Sequence, residues 1–348
     1  MKRKVAARTG DGRICLVEQE IPALRAGTVL VEVHASLVSP GTELGGWRGL
    51  AEARKAGNSD AEPKPFGYSN AGVVQEIGEG ADEFKAGDRV ACVGAGYAQH
   101  ANYAVVPHNL CVRLPENVTF AQGAFAMLSA TALHAVRRGQ PELGEYVAVV
   151  GLGLLGQLAA QFHRLACNYV IGWDMIAFRN EIARRCGIHA TVTIGSEDPV
   201  ALTKQFTGGF GLDAAVLAFG GDGNSAVKSL MQCMKVSPDT HTMGRVVVVG
   251  NPSFDWPLRA GSNAEFRQAG RTGPGYHDDA WEVGPPYPPV FMRWTTRTNL
   301  ELCMRLIAEG RLNVDALTTH TIPLADVEAG IDAIIGRPDE ILGVVFTM

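Results

Sequence analysis

The sequence predicts an α/β protein of two domains, a compact β-barrel-like domain and a doubly wound parallel sheet, and three observations carry that prediction. A length of 348 residues suits two domains at about 150 residues each. From Thr119 onward, stretches of strand character alternate with stretches of helical period, and parallel neighbours need such crossovers. Finally, 41 glycines in a non-repeating pattern mark many tight turns in a chain that is 46% apolar and 19% charged, which leaves enough apolar residues for a large core.

Taken in order, the chain up to Pro115 reads as short strands. Val29–Val33 alternates, Gly72–Ile77 is mostly apolar, and Gly87 with Asp88 marks a turn before Arg89–Val93. A helical stretch is expected over Ala121–Arg138. Strands are then expected at Tyr146–Val150, Tyr169–Trp173, Ala190–Ile194, Asp213–Ala218 and Arg245–Val249. The helices expected between them are Gly156–Ala166, Phe178–Cys186, Pro199–Phe206 and Asn224–Met234. From Asn251 to Phe291 the chain is irregular and rich in Gly, Pro and aromatic residues, the texture of a functional loop. A helix at Thr298–Glu309, strand-like Leu317–Pro323, a helix at Ala325–Ile335 and strand-like Gly343–Phe346 close the chain, and this last part is expected to rejoin the first domain. The division predicted is 1–120 with 293–348 against 121–292.

Composition excludes several classes of function. Lys and Arg number 31 against 36 Asp and Glu, a net charge of −5, so there is no basic excess for a nucleic-acid backbone and a small-molecule substrate is the expected partner. The seven cysteines are scattered, odd in number and without a C-x-x-C, which argues against a disulfide framework and a thiolate zinc site and for a reducing cytoplasm. No apolar signal region follows Met1–Lys4. The charge-free run from Tyr146 to His163 contains three glycines and ends among Gln157 and Gln161, so a buried strand turning into a helix is expected rather than a membrane span.

The same run carries the strongest motif. Strand Tyr146–Val150 leads into Gly151-Leu152-Gly153-Leu154-Leu155-Gly156 and then a helix. The first glycine serves the tight turn, the second lets backbone N–H groups reach a pyrophosphate, and the third allows close helix-to-strand packing. Asp174 closes the next strand, where a carboxylate takes ribose hydroxyls and repels a 2′-phosphate, so NAD is expected over NADP. Arg179 is placed to lie over the adenine. The bland alternative is a tight turn and a cap.

The order of parts, with Pro40-Gly41-Thr42-Glu43, Pro65-Phe66-Gly67-Tyr68-Ser69, Ala86-Gly87-Asp88-Arg89-Val90, Leu143-Gly144 and Gly244–Gly250, resembles the medium-chain dehydrogenase/reductase family over nearly the whole length. The resemblance implies a GroES-like catalytic domain, a Rossmann NAD-binding domain, and a homodimer or homotetramer, with strand-like Glu265–Gly270 able to pair across an edge. It is nearest to zinc-lacking members that read S-x-G-T-E, including the dehydrogenase half of bi-domain oxidoreductases. Zinc-dependent members hold their metal at the positions of Pro40, Tyr68 and Met127. Proline, a neutral phenol and a thioether do not make a zinc site, and between Cys92 and Cys111 no cysteine pair stands at structural-zinc spacing, so no metal is expected.

Without a Lewis acid, a hydrogen-bonding group must manage the alkoxide and its proton. Tyr68 is the candidate acid/base, with Glu43 behind it; alternatively, Tyr68 fills the space of the lost metal. Thr42 matches the family's proton-relay hydroxyl, or serves as a turn hydroxyl. Thr131 matches a residue packed on the nicotinamide, and the backbone at Val249 and Asn251 matches the carboxamide site. Trp47, Arg48, Tyr276, His277, Asp278 and Trp294 could line a polar, aromatic pocket, and His100 and His277 are alternative bases. The expectation is a zinc-independent, NAD-dependent dehydrogenase of a sugar, cyclitol or similar polyol. Alternatives are a quinone or enone C=C reductase and a non-catalytic NAD(H) sensor or scaffold.

Overall fold

The computed structural model describes residues 1–57, 62–257 and 262–348, with the side chains of 46–49 also outside the description. It divides into two compact units, Met1–Ala130 with Thr272–Met348, and Thr131–Arg271.

In the first unit, the ten-residue strand Thr28–Leu37 pairs antiparallel with Ser69–Ile77, Tyr103–Pro107 and Gly343–Thr347. Arg89–Val93 and Cys111–Arg113 extend the sheet on one side, and Thr318–Pro323 on the other. Three strands, Ile14–Glu20, Lys2–Arg8 and Lys64–Pro65, form a smaller sheet. The backbone bond from Ala6 N–H to His100 C=O, 2.8 Å, ties Lys2–Arg8 to the loop ahead of Tyr103–Pro107. The core gathers Ile14, Leu44, Leu50, Ile331, Val344 and Phe346 from both ends of the chain, so the C-terminal strand rejoins the first domain, as the sequence predicts.

The second unit is a six-stranded, wholly parallel sheet. Its order is Ala190–Thr193, Tyr169–Asp174, Tyr146–Val150, Ala214–Leu217, Arg245–Val248, Glu265–Gln268, so successive strands are added first to one side of Tyr146–Val150 and then to the other. That reversal makes the doubly wound fold and opens a crevice at the carboxyl end of the first strand. Trp173, Ile171, Val150, Leu217 and Val246 are buried beneath the helices, so these strands read as near-continuous apolar runs.

Three expectations change. The unit boundaries move from 120/121 and 292/293 to 130/131 and 271/272, because the segments concerned bond to the first unit. Ser69 Oγ donates to Ala124 C=O at 2.7 Å and accepts from Met127 N–H at 3.2 Å, while Asn109 Nδ2 donates to the carbonyls of Trp281 and Gly284 at 2.6 and 2.9 Å. The helix expected over Ala121–Arg138 breaks into Phe120–Gly123, with a Thr119 capping box, and Ala126–Gly139. The irregular stretch 251–291 holds the short strand Asn251–Ser253 and the strand Glu265–Gln268, which pairs in parallel with Arg245–Val248 as the sixth strand of this sheet. No described helix is long and apolar enough to cross a membrane.

Candidate functional site

The glycine loop sits at the end of Tyr146–Val150. Gly151 has φ +89° and donates its N–H to Trp173 C=O at 2.8 Å. A Cβ on Gly156 would lie 1.8 Å from the Gly151 carbonyl oxygen, so helix Leu154–Leu165 approaches the loop at a distance that only glycine permits. A Cβ on Gly153 would meet nothing within 4 Å, so that glycine faces open space at the helix N-terminus. Open space ahead of a helix N-terminus is where a pyrophosphate accepts backbone N–H groups. Leu154 and Leu155 form the helix's first turn.

Asp174 is 6% exposed and joins the loop to the next strand. Its Oδ2 accepts from Leu152 N–H at 2.7 Å and its Oδ1 from Ile176 N–H at 2.8 Å. A carboxylate offers about four lone-pair directions, so each oxygen retains one for a further donor such as a ribose hydroxyl. The Arg179 guanidinium lies 3.7 Å from the same carboxylate, and its backbone carbonyl accepts from Gln157 Nε2 at 2.8 Å. These contacts tie Arg179 to Asp174 and the loop helix. Val249 donates its N–H to Leu217 C=O at 3.1 Å and Asn251 to Phe219 C=O at 3.0 Å, which fixes the backbone past the fifth strand. Thr131 is half-buried on Ala126–Gly139.

In the first unit, Gly67 has φ +111°, and a Cβ there would lie 2.4 Å from His100 N. This glycine lets the segment carrying Tyr68, just ahead of strand Ser69–Ile77, pass close against the loop carrying His100, whose N–H bonds Phe66 C=O at 3.1 Å. Tyr68 is 7% exposed. Burial pushes its phenol above the ordinary value and the Glu43 carboxylate adds to that, while hydrogen bonds with the Ser39 and Thr42 side chains act in the opposite sense and Tyr276 contributes a smaller upward push. The phenol is therefore protonated at neutral pH. Thr42 is exposed on the four-residue helix Pro40–Glu43, so its hydroxyl touches both the phenol and solvent.

Glu43 stands in that electrostatic contact with Tyr68, but its hydrogen bonds lead to Ser39 and His100. Its side chain is 3% exposed; Oε2 accepts from Ser39 N–H at 3.0 Å and lies 3.0 Å from His100 Nε2. His100, expected as a pocket base, is 0% exposed and caged edge-on by Phe66 and Phe346, so it lines no pocket. Asp278 likewise leaves the pocket. It caps helix Asp279–Glu282 by accepting from Trp281 N–H at 3.2 Å, and it receives the Tyr287 hydroxyl.

Tyr276 is the aromatic pocket candidate near enough to Tyr68 to push its phenol upward, and its oxygen accepts from Ala95 N–H at 2.9 Å. His277 adopts φ +67°, sets its ring tilted 54° against Tyr276 with centroids 4.2 Å apart, and donates its N–H to the buried Glu282 at 2.9 Å. Such a backbone strain in a histidine is held only where its surroundings over-determine it. Trp294 carries the Arg293 guanidinium 4.5 Å from its ring centroid. The side chains of Trp47 and Arg48 lie outside the described residues. Sequence reasoning missed Ser39 and Ser36 as functional residues. The signal for Ser39 was in view, since it precedes Pro40 in the motif; Ser36 had none.

The donor set at 40, 68 and 127 does not fit zinc: proline offers no side-chain donor, the phenol is held protonated, and Met127 brings a soft thioether. Among the described residues, no group of three or more His, Cys, Asp or Glu side chains converges in a way that could hold a metal.

Residues 25–116 match the alcohol dehydrogenase GroES-like domain. The chain is 25% identical over 346 residues to sorbitol dehydrogenase from Mus musculus, with 90% of this chain and 88% of that one covered. It is 26% identical over 349 residues to D-guloside 3-dehydrogenase from Shigella flexneri, with coverage of 94% and 93%. The solved structure of galactitol-1-phosphate dehydrogenase from Escherichia coli matches with a TM-score of 0.78 at 17% identity, covering 99% of this chain and 100% of that one, a likeness of fold.

Proposed function

Since the chain belongs to the medium-chain dehydrogenase/reductase family of alcohol-dehydrogenase-like proteins, we propose that it is an NAD-dependent dehydrogenase that interconverts a secondary alcohol of a sugar, cyclitol or similar polyol with its ketone, without zinc. The observation that carries the reading is the anchoring of Asp174 to the glycine loop through Leu152 N–H, which sets a ribose-binding carboxylate beside an open helix N-terminus. Bound there, NAD would accept the hydride from the carbinol carbon.

The work of the protein side chains is then proton management. The protonated Tyr68 phenol donates a hydrogen bond to the substrate oxygen. In the reducing direction it passes its proton to that oxygen as the ketone becomes an alcohol. In the oxidising direction Tyr68 first releases its own proton through the Thr42 hydroxyl, which reaches solvent, and then takes the proton of the substrate hydroxyl. Glu43 keeps negative charge beside the phenol and so favours its protonated form. Tyr276 and His277 offer hydroxyl and imidazole groups for the remaining hydroxyls of a polyol.

The test is NAD reduction, followed by absorbance, across sugars, cyclitols and linear polyols, with metal analysis of the purified protein. Turnover on a polyol with no stoichiometric zinc is expected. Tight NADH binding with no turnover on that panel or on quinones and enones would turn the reading into a sensor, and stoichiometric zinc would overturn the metal-free chemistry.

A further inference from the structure

Behind Tyr68 lies a row of polar groups that a hydrophobic core does not need. His100 Nδ1 lies 2.8 Å from Ser36 Oγ and its Nε2 lies 3.0 Å from Glu43 Oε2. The ring is wedged between Phe66 and Phe346, with centroids at 5.0 and 5.4 Å and interplanar angles of 74° and 84°. Its backbone is held as firmly, with N–H on Phe66 C=O and C=O on Ala6 N–H. Burying an imidazole against a carboxylate costs desolvation that packed apolar residues of similar volume avoid, so such a pair is weak evidence for stability and invites a functional account.

Glu43 is the last residue of the short helix Pro40–Glu43, and its Oε2 also receives the N–H of Ser39. One carboxylate oxygen thus closes the turn that bears both hydroxyls touching Tyr68. The other oxygen, Oε1, is buried with no hydrogen-bond partner among the described residues.

Resting on the dehydrogenase reading above, we propose that His100 is a positioning residue of the hydride-transfer site: held by Ser36, it pins Glu43 so that the turn 39–43 presents two hydroxyls and a carboxylate to Tyr68 in one arrangement. The groups facing Tyr68 are Glu43, Ser39, Thr42 and Tyr276; those facing His100 are Glu43, Ser36, Phe66 and Phe346. Removing the imidazole strips the buried carboxylate of the partner that holds Oε2, frees the side chain to turn away, and so takes negative charge away from the phenol. A phenol that loses a neighbouring negative charge ionises more easily, so the oxidation rate begins to climb at lower pH.

The experiment compares His100→Phe, His100→Gln, Glu43→Gln and Tyr68→Phe by pH profiles of kcat and kcat/KM in both directions, with thermal melts and NADH titrations. His100→Phe, apolar among two phenylalanines, is expected to bind NADH normally, to lose about 10- to 100-fold in kcat, the range for groups that orient a catalytic side chain, and to shift the oxidation profile towards acid. Glu43→Gln is expected to show the same shift without altering the apolar cage, and the double variant no further one. His100→Gln, whose amide can still donate to Glu43, is expected to recover most of the rate and the wild-type profile. An unshifted profile in His100→Phe or in Glu43→Gln, or equal losses in the Phe and Gln variants, would overturn the positioning role while leaving the dehydrogenase reading intact. Full turnover in Tyr68→Phe would overturn that reading itself.

Discussion

The glycine loop and the Tyr68 cluster use opposite means. The loop is built from backbone: Gly151, Gly153 and Gly156 contribute the absence of side chains, and the donors are N–H groups of consecutive residues, with Asp174 as the one carboxylate. The cluster is built from side chains, Ser36, Ser39, Thr42, Glu43, Tyr68, His100 and Tyr276, drawn from both segments of the first unit. A backbone site tolerates almost any residue that fits and fails when a Cβ intrudes. A side-chain site folds after a single substitution and fails in its chemistry. Five substitutions probe the two regions.

The largest effect is expected from Tyr68→Phe. Loss of a positioned acid/base should lower kcat by about 10²–10⁴-fold, or roughly 3–5 kcal/mol of barrier, with the NADH dissociation constant unchanged. Steady-state kinetics beside an NADH titration check it, and normal turnover at every pH would mean that the phenol only fills space.

Next comes an acid sensitivity of the second unit. His163 is buried, and its Nδ1 lies 2.9 Å from the amide oxygen of Asn168. Burial pushes the imidazole down from 6.5 to about 4, against the hydrogen bond to Asn168 and the charge of Glu145, which act upward. The unfolded chain takes up the proton first, so stability is intact above pH 6.5, falls as pH drops towards 4, and loses nothing more from this group below that. The loss is on the order of 3 kcal/mol. Urea midpoints measured between those pH values should fall in the wild type and fall distinctly less in His163→Gln, which can still donate to Asn168.

Gly156→Ala is expected to cost about 1–3 kcal/mol of stability by overpacking against the Gly151 carbonyl, together with most NADH binding. Gly153→Ala separates a nucleotide loop from a mere turn, because its Cβ meets no protein atom. The melting temperature should hold while NADH affinity drops about tenfold, equivalent to 1.4 kcal/mol. A wild-type affinity in that variant would leave only the turn. The smallest change is expected from Asp174→Ser, a fall in the preference for NAD over NADP read from the ratio of kcat/KM values, with some loss of loop rigidity as Leu152 N–H loses its acceptor.

Much of the second unit was legible because its information is local. Tyr146–Val150 and Pro199–Phe206 form as the sequence predicts, and the other helices and strands of the alternating stretch differ at their ends by up to three residues. Glu265–Gln268 reads as strand-like in the sequence, but its place as the sixth strand of this sheet escaped, because its parallel pairing to Arg245–Val248 is a long-range event. In the first unit, Tyr68, Thr42 and Glu43 could be picked out from short motifs. Their partners could not: a histidine between Gln99 and Ala101 reads equally as a pocket base or a buried group, and only the passage of Gly67 against its backbone settles which.

By itself, then, the sequence determined where the chain turns back through glycine, which strand ends in a carboxylate, and that a proline, a phenol and a thioether stand at 40, 68 and 127, since each is local to a few residues. The tertiary structure decided that His100 is withdrawn from any pocket and set against Glu43, and that the turn 39–43 surrounds a protonated Tyr68. Those are contacts between residues up to 57 positions apart, made by a short helix and loops that flank antiparallel strands whose register no local pattern encodes.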